Sequence, residues 1–188
     1  MSTPLMNVDG LRQLMRSSTK PRIFDCTGDL MKPENGPIQY REQHIAGARY
    51  ADLNLYLSAH GNQPKVNGGR HPLPTREHFA SWLGQEGVDA HTPVVVYDRN
   101  GVNYCGRLWW MLRWCGHGPV WVLDGGLQAW VAAGGEGAIL KSQDAVYGKG
   151  WVKAKRMSTL DVIITGFTDA EHGVTGKYDG QIGAVKVS

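Results

Sequence analysis

Residues 93–98, with the sequence PVVVYD, decide the fold. Such a continuous apolar, β-branched run is typical of a strand that helices cover on both faces of a sheet. The polar turn at 98–101 follows it, and then residues 104–114, which are rich in large apolar side chains and end just before Gly116. That order indicates a strand, a loop and a helix. We therefore expect the run to be a central strand of an α/β domain.

The same alternation continues on both sides of this run. Upstream, helical spacing of apolar residues over 8–15 precedes the short apolar run at 22–26, and a second amphipathic helix follows the capping residue Thr75. Downstream, residues 120–123 predict a buried strand and 127–133 a short helix. Alternating strands and helices predict a mainly parallel central sheet, flanked by helices, with right-handed crossovers.

Two stretches lack periodicity and contain several glycines and prolines. Residues 27–40 are expected to form a loop, and residues 58–70 a long exposed loop. Beyond about residue 136 the pattern changes, so we expect a domain over 1–136 and a tail of unknown structure over 137–188. Short strands at 160–165 and 182–187 are plausible within that tail.

Length and composition fit one soluble domain with an appendage. The chain has 188 residues, of which 41% are hydrophobic and 20% charged, and its net charge is +3. The basic residues are dispersed, which argues against nucleic-acid binding, and no apolar stretch is long enough to cross a membrane. No nucleotide-binding motif is present, so we expect no cofactor.

The three cysteines Cys26, Cys105 and Cys115 cannot all pair within one chain. No spacing typical of a metal site is present, and we expect no metal. If Cys105 and Cys115 share a helix, ten residues separate them by about 15 Å along its axis, beyond the reach of a disulfide. Reduced thiols, and hence a cytoplasmic location, fit best.

Five ordered segments together resemble the rhodanese family, in particular the N-terminal domain of tandem-domain thiosulfate and 3-mercaptopyruvate sulfurtransferases. They are residues 44–49 (HIAGAR), 69–74 (GRHPLP), 94–98 (VVVYD), 107–113 (RLWWMLR) and 122–130 (VLDGGLQAW). The resemblance covers about residues 5 to 136. It implies a rhodanese-like α/β fold and a family activity that moves a sulfane sulfur from a small anionic donor to an acceptor.

The resemblance also implies a departure at the active position. In an active domain of this family, the loop after the central strand begins with the cysteine that accepts sulfur, whereas Asp98 stands there in this chain. Converging N–H groups in such a loop can stabilise a thiolate or persulfide, but a carboxylate is a poor sulfur acceptor. We therefore expect the chain alone to be weakly active or inactive, with Cys105 and Cys26 as alternative sulfur carriers. Packing is the favoured role for Cys105 and Cys115, and a surface or packing role for Cys26.

Seven residues are candidates for the loop and the cleft that the resemblance implies: Asp98, Arg99, Asn100, Gly101, Arg107, Arg70 and His71. In related mercaptopyruvate enzymes a histidine and a carboxylate of the first domain organise the cysteine of the second. His71 matches the histidine, but Asn54 stands at the carboxylate position and cannot supply a charge. We expect Arg99 to be solvated, with pairing to Asp98 equally open, and Arg107 to bind nearby carbonyl groups or Asp25.

Two classes of function remain open. The chain is either a sulfurtransferase domain that needs a second, cysteine-bearing rhodanese domain or partner, or a non-enzymatic binding or scaffolding domain; a homo-oligomer is a further possibility. The fifty-odd residues after Gly135 are too few for a second domain, so we expect a truncated or fused chain. Phosphatase-like chemistry would need a cysteine and, five residues later, an arginine, where Asp98 and Asn103 stand.

Overall fold

The computed structural model describes residues 3–134 and the backbone of four later strands, at 139–141, 151–153, 164–169 and 182–187. The chain divides into two compact units, Met1–Arg156 and Met157–Ser188. None of the helices in the described residues is long and apolar enough to cross a membrane.

A five-stranded parallel sheet forms the centre of the first unit, in the order β1-β5-β4-β2-β3. The predicted central position of the 93–98 run is confirmed, because β4 lies between β5 and β2. The strands are β1 (Leu5–Met6), β2 (Arg22–Asp25), β3 (Arg49–Tyr50), β4 (Val94–Tyr97) and β5 (Val120–Leu123).

The described residues contain five helices: α1 (Val8–Arg16), α2 (Asn35–Glu42), α3 (Arg76–Gln85), α4 (Cys105–Trp114) and α5 (Gly126–Ala132). The expected cap of α3 is confirmed, since the hydroxyl of Thr75 accepts a hydrogen bond from the N–H of His78. Asn7 caps α1 in the same way, through the N–H of Gly10. The α/β class and the mainly parallel sheet are therefore as predicted.

Side chains on alternate positions of the central strand enter two different cores, as the pleat of a strand requires. Val94 and Val96 pack with buried residues of α3 and α4 on one face. Val95 and Tyr97 pack on the other face with α1 and α5. Burial on both faces explains why the strand shows a continuous apolar run instead of an alternating pattern.

The prediction of a loop over 27–40 is wrong in its second half, where α2 begins at Asn35. Gly36 and Pro37 suggested a break, but both lie in the first turn of the helix, where proline needs no hydrogen-bond donor. The helix also buries only Gly36 fully, so it leaves almost no apolar periodicity in the sequence.

The described strands of the later residues pair among themselves. β6 (Ile139–Lys141) is antiparallel to β7 (Trp151–Lys153), and β8 (Ile164–Asp169) is antiparallel to β9 (Ile182–Val187). The strand expected at 182–187 is confirmed. The one expected at 160–165 overlaps β8 only at its end, and residues 160–163 lie outside the described residues.

Candidate functional site

The loops that follow β2, β3, β4 and β5 leave the same edge of the sheet, because these strands are all parallel. In open parallel sheets this carboxyl edge is where ligands bind. Two groups of candidate residues lie here: the loop that begins at Asp98 after β4, and a cavity formed by the segments after β2 and β3 together with Arg70 and His71.

The carboxylate of Asp98 is buried and serves as the acceptor for its own loop. One oxygen accepts the N–H groups of Asn100 (2.9 Å) and Val102 (3.0 Å). The other accepts those of Tyr104 (2.9 Å) and Cys105 (3.0 Å) at the start of α4. Only 2% of Asp98 is exposed. Converging N–H groups of this kind form a site for an anion, and here the chain's own side chain fills it.

Contacts with α5 hold the backbone of the same loop. The carbonyl oxygen of Asp98 accepts the N–H of Leu127 (3.2 Å), and the side chain of Gln128 donates to the carbonyl of Arg99 (2.9 Å). Gly126 has a φ of 56°, and a Cβ at this position would overlap the carbonyl oxygen of Asp98. Glycine at 126 is therefore required for both its conformation and its close approach to the loop.

Arg99 was expected to be solvated or paired with Asp98, and both expectations are wrong. Its guanidinium is partly buried and donates to the carbonyl oxygens of Gln39 (3.1 Å) and Gln43 (2.5 Å), at the end of α2. The carbonyl oxygens at the C-terminal end of a helix carry partial negative charge and attract a cation. Arg99 thus fastens the Asp98 loop to α2.

The tip of the loop turns through two left-handed residues. Gly101 and Val102 both have a φ of 71°. Such a conformation is uncommon for a β-branched residue and carries strain. Asn100 and Val102 are exposed at the tip, whereas their N–H groups point to Asp98. The carboxylate therefore stabilises a backbone conformation that costs energy.

None of the three cysteines has the setting of a reactive thiol. Cys105 is buried, and its burial and the nearby charge of Asp98 raise the pKa of its thiol. Cys26 is also buried, and burial again raises its pKa well above the ordinary value. Cys115 is partly buried, with its pKa raised by the same cause. All three thiols are free. The packing role predicted for Cys26 and Cys105 agrees with their place in one apolar core.

Asp25, at the end of β2, is a fully buried carboxyl group behind the loop. One oxygen accepts the N–H of Thr27 (2.8 Å), and burial raises the pKa of the group. The side chain of Tyr97 lies beside it and accepts the N–H of Ile45 (3.0 Å). Because Arg107 bonds elsewhere, the suggestion that it pairs with Asp25 is wrong.

The second group of candidates surrounds a cavity of about 190 Å³. His71 lies in it with Nε2 buried and without a partner in the described part of the chain. Burial and the charges of Arg107 and Arg70 lower the pKa of His71, which favours the neutral imidazole. The remaining lining residues are Gly28, Asp29, Leu30, Pro33, Tyr50, Asp52, Leu53, Asn54 and Arg70.

Other side chains of this cavity have structural partners. The carboxylate of Asp52 accepts the N–H groups of Asn54 (2.7 Å) and Leu55 (3.0 Å), and so shapes the turn after β3. Arg70 donates to the carbonyl of Leu30 (3.1 Å). Tyr50 lies at the end of β3 and was not predicted from the sequence; a strand-end position at the carboxyl edge was the signal that could have found it.

Arg107 lies on the first turn of α4 and binds carbonyl groups. This is the first of the two alternatives that we predicted for it. Its Nε and Nη2 donate to the carbonyl oxygen of Leu57 (3.0 and 2.8 Å), and Nη2 also donates to that of His71 (2.9 Å). The structure therefore separates the seven candidates into the loop of Asp98, Arg99, Asn100 and Gly101, the cavity of Arg70 and His71, and Arg107 between them.

Comparison with known proteins matches residues 7–133 to the family model described as rhodanese-like domain. The chain is 36% identical over 144 residues to thiosulfate/3-mercaptopyruvate sulfurtransferase 2 of Arabidopsis thaliana, covering 76% of this chain and 40% of that protein. It is 43% identical over 115 residues to a probable 3-mercaptopyruvate sulfurtransferase of Pseudomonas aeruginosa, covering 60% and 39%.

A solved structure of 3-mercaptopyruvate sulfurtransferase from Leishmania major matches with a TM-score of 0.59 and 28% identity, over 82% of this chain and 39% of that one. An Escherichia coli 3-mercaptopyruvate sulfurtransferase structure matches with a TM-score of 0.59 and 26% identity, over 84% and 58%. The chain thus spans about two fifths of the length of these curated relatives.

Proposed function

This chain belongs to the family of rhodanese-like domains, and on that premise we propose that it is the half of a two-domain sulfurtransferase that carries no sulfur acceptor in its loop. The observation that carries the proposal is the Asp98 carboxylate, which accepts four N–H groups of the loop. The four N–H groups that the carboxylate occupies are not available to a persulfide. The carboxylate itself is a weak nucleophile toward sulfur.

The state of the cysteines supports the same proposal. Sulfur transfer to a protein thiol requires the thiolate, and a raised pKa removes the thiolate at neutral pH. Burial raises the pKa of all three thiols. We therefore assign catalysis to the cysteine of a second rhodanese domain, in the same chain or in a partner.

The contribution of this chain is then the cavity around His71. Its neutral imidazole and the cation of Arg70 can bind a small anionic sulfur donor, thiosulfate or 3-mercaptopyruvate, and Asn54 offers hydrogen bonds without charge. The carboxylates of Asp29 and Asp52 also line the cavity, but each accepts N–H groups of its own turn. The names of the relatives support this substrate class. We further propose a reducing compartment such as the cytoplasm, because the three thiols are free; one relative is named as mitochondrial.

The test measures thiocyanate formed from cyanide with each donor, using this chain, a separately produced cysteine-bearing rhodanese domain, and their mixture. We expect this chain alone to give no more product than buffer, and the mixture to exceed the cysteine-bearing domain alone by about a hundredfold, the size of effect that correct positioning of a reacting group can have. His71→Ala should abolish that gain, and His78→Ala, on the exposed face of α3, should leave it unchanged.

The second candidate is a non-enzymatic rhodanese-fold binding domain. It is favoured by the same loop, whose carboxylate accepts N–H groups of the chain itself. A partner domain that binds this chain while its turnover stays constant would support this candidate and contradict the first one.

A further inference from the structure

Arg107 joins two segments that are 14 residues apart in the sequence. Both Nε and Nη2 donate to the carbonyl oxygen of Leu57, at 3.0 and 2.8 Å. Nη2 also donates to the carbonyl oxygen of His71, at 2.9 Å. The planar guanidinium holds its N–H groups in a rigid fork, so three hydrogen bonds to two carbonyls fix their relative position.

Ion pairing does not explain this residue. Among the described residues the ion pairs are Arg12 with Asp9 and Arg49 with Glu86, and Arg107 takes part in neither. The guanidinium is half-buried and is bonded only to backbone oxygens, and burial lowers its pKa from the usual value. Partial burial of a cation without a carboxylate is costly, and the three hydrogen bonds to carbonyl oxygens offset that cost, so the role of Arg107 lies in the geometry of these bonds.

The bonded backbone continues directly into the cavity. Next to His71, the carbonyl of Pro72 accepts the N–H of Ala59 (2.9 Å), and the N–H of Leu73 donates to the side chain of Asn67 (2.7 Å). The main chain at 71–73 is therefore held at three successive residues. His71 is one of the residues that line the cavity, and its Nε2 is buried and unpartnered in the described part of the chain.

We propose that Arg107 is a positioning residue for His71: by clamping the carbonyls of Leu57 and His71 it fixes the imidazole in the cavity, and it couples the cavity to the helix that begins at the Asp98 loop. The coupling follows from the place of Arg107 on the first turn of α4, two residues after Cys105, whose N–H donates to Asp98. The inference rests on the proposed function only for the claim that His71 acts on a ligand.

The charge of Arg107 has a separate consequence for His71. Burial, Arg107 and Arg70 lower the pKa of the imidazole, whereas the carboxylates of Asp29 and Asp52 and the phenol of Tyr50 line the same cavity. A variant that keeps the charge and loses the fork therefore separates the geometric effect from the electrostatic one. Arg107→Lys is that variant, and Arg107→Met removes both.

The experiment compares the full chain with Arg107→Lys, Arg107→Met and the control Arg113→Lys by NMR, following amide hydrogen exchange and the titration of the His71 ring. Arg113 lies on the same helix, is exposed, and donates to the carbonyls of His117 and Gly118. The N–H groups of Ala59 and Val66 report on the frame around His71, and those of Cys26 and Val94 on the sheet.

We expect Arg107→Lys to speed exchange at Ala59 and Val66 by about tenfold or more, as local opening without global unfolding does, and to leave the sheet amides unchanged. Arg107→Met should in addition raise the pKa of His71, because a positive neighbour is lost. Arg113→Lys should change neither. Uniformly faster exchange, an unfolded Arg107→Lys chain, or no change at Ala59 and Val66 would overturn the assignment.

Activity gives an independent readout. In the mixture with a cysteine-bearing domain, Arg107→Lys should lose the gain that His71→Ala loses. If the wild-type chain gives no gain, the proposed function fails, while the NMR result still decides whether Arg107 positions His71.

Discussion

The Asp98 loop and the His71 cavity lie at the same edge of the sheet but use their polar groups in opposite ways. In the loop, each oxygen of the carboxylate accepts two N–H groups of the chain itself. In the cavity, Nε2 of His71 is buried and has no partner within the described residues. A buried polar atom without a partner calls for an explanation, of which a bound ligand is one; Nε of Arg99, in the loop, is another such atom. The comparison is the basis of our proposal that the loop is a structural element and that the cavity of His71 takes the ligand.

The largest effect should come from Asp98→Asn. The amide has the shape of the carboxylate, but its NH2 group would face two of the four N–H donors, which then lose their acceptor in partly or fully buried bonds. Unsatisfied buried donors cost about 1–3 kcal/mol each, so we expect a loss of about 2–4 kcal/mol in the free energy of unfolding, measured in urea.

The matched control is Asp89→Asn. Asp89 accepts N–H groups of His91 (2.9 Å) and Thr92 (2.8 Å) in an exposed turn. Water can replace these bonds, so Asp89→Asn should lower the free energy of unfolding by less than about 1 kcal/mol. Equal losses for the two variants would contradict the structural role of the Asp98 carboxylate.

Gly126→Ala tests how tightly the loop is held against α5. A Cβ would overlap the carbonyl oxygen of Asp98, in addition to the cost of a positive φ for alanine. Gly134→Ala is the control, because Gly134 has a φ of 67° and open space around its Cβ position. In thermal or urea unfolding, we expect Gly134→Ala to lower the free energy of unfolding by about 1 kcal/mol. Gly126→Ala should lower it by at least about twice that amount. Equal losses for the two variants would show that the loop can move to make room for the Cβ.

The next effect is on the rate at which the thiols are alkylated. Because burial raises the pKa of Cys26 and Cys105, iodoacetamide at pH 8 should alkylate them about tenfold or more slowly in the folded chain than in urea. Cys115, which is less buried, should react first. Mass spectrometry of the peptides measures each rate.

The raised pKa of the thiols also determines how the stability of the folded chain changes with pH. Unfolding lets the thiols ionise, so their contribution to stability is complete below the ordinary thiol pKa and is lost as the pH rises from there toward the folded value. Rapid labelling of Cys105 in a folded sample would contradict the packing role.

The smallest expected effect is a change in the pKa of His71 in the cavity. Asn54→Asp introduces a carboxylate beside His71 in the same cavity, and an anion nearby stabilises the imidazolium. We expect the pKa of His71 to rise in an NMR titration. Asn62→Asp, in the exposed part of the 58–70 loop, should leave it unchanged. If the pKa of His71 stays constant in Asn54→Asp, the side chains of residues 54 and 71 do not interact electrostatically.

The fold could be predicted from the sequence because its signals are local and repeated. The apolar run of β4, the cap at Thr75 and the glycines around α5 each indicate one element, and alternation then gives a parallel sheet. α2 could not be predicted, because it buries almost no apolar side chain and contains Gly36 and Pro37 in its first turn.

The site could be predicted only in part. The position of Asp98 follows from the end of a strand, but its four bonds depend on left-handed residues at 101 and 102, which no local pattern announces. The partners of Arg99 and Arg107 are carbonyl groups 36 to 60 residues away. Backbone acceptors carry no residue type, so a sequence pattern cannot identify them.

The most direct test of the central claim is sulfur loading. The chain is incubated with thiosulfate or 3-mercaptopyruvate, and its intact mass and peptides are compared before and after treatment with cyanide. An internally filled loop and buried thiols predict no gain of sulfur and no thiocyanate. A gain of one sulfur atom at Cys26, Cys105 or Cys115 that cyanide removes, and that the matching Cys→Ser variant loses, would contradict the account.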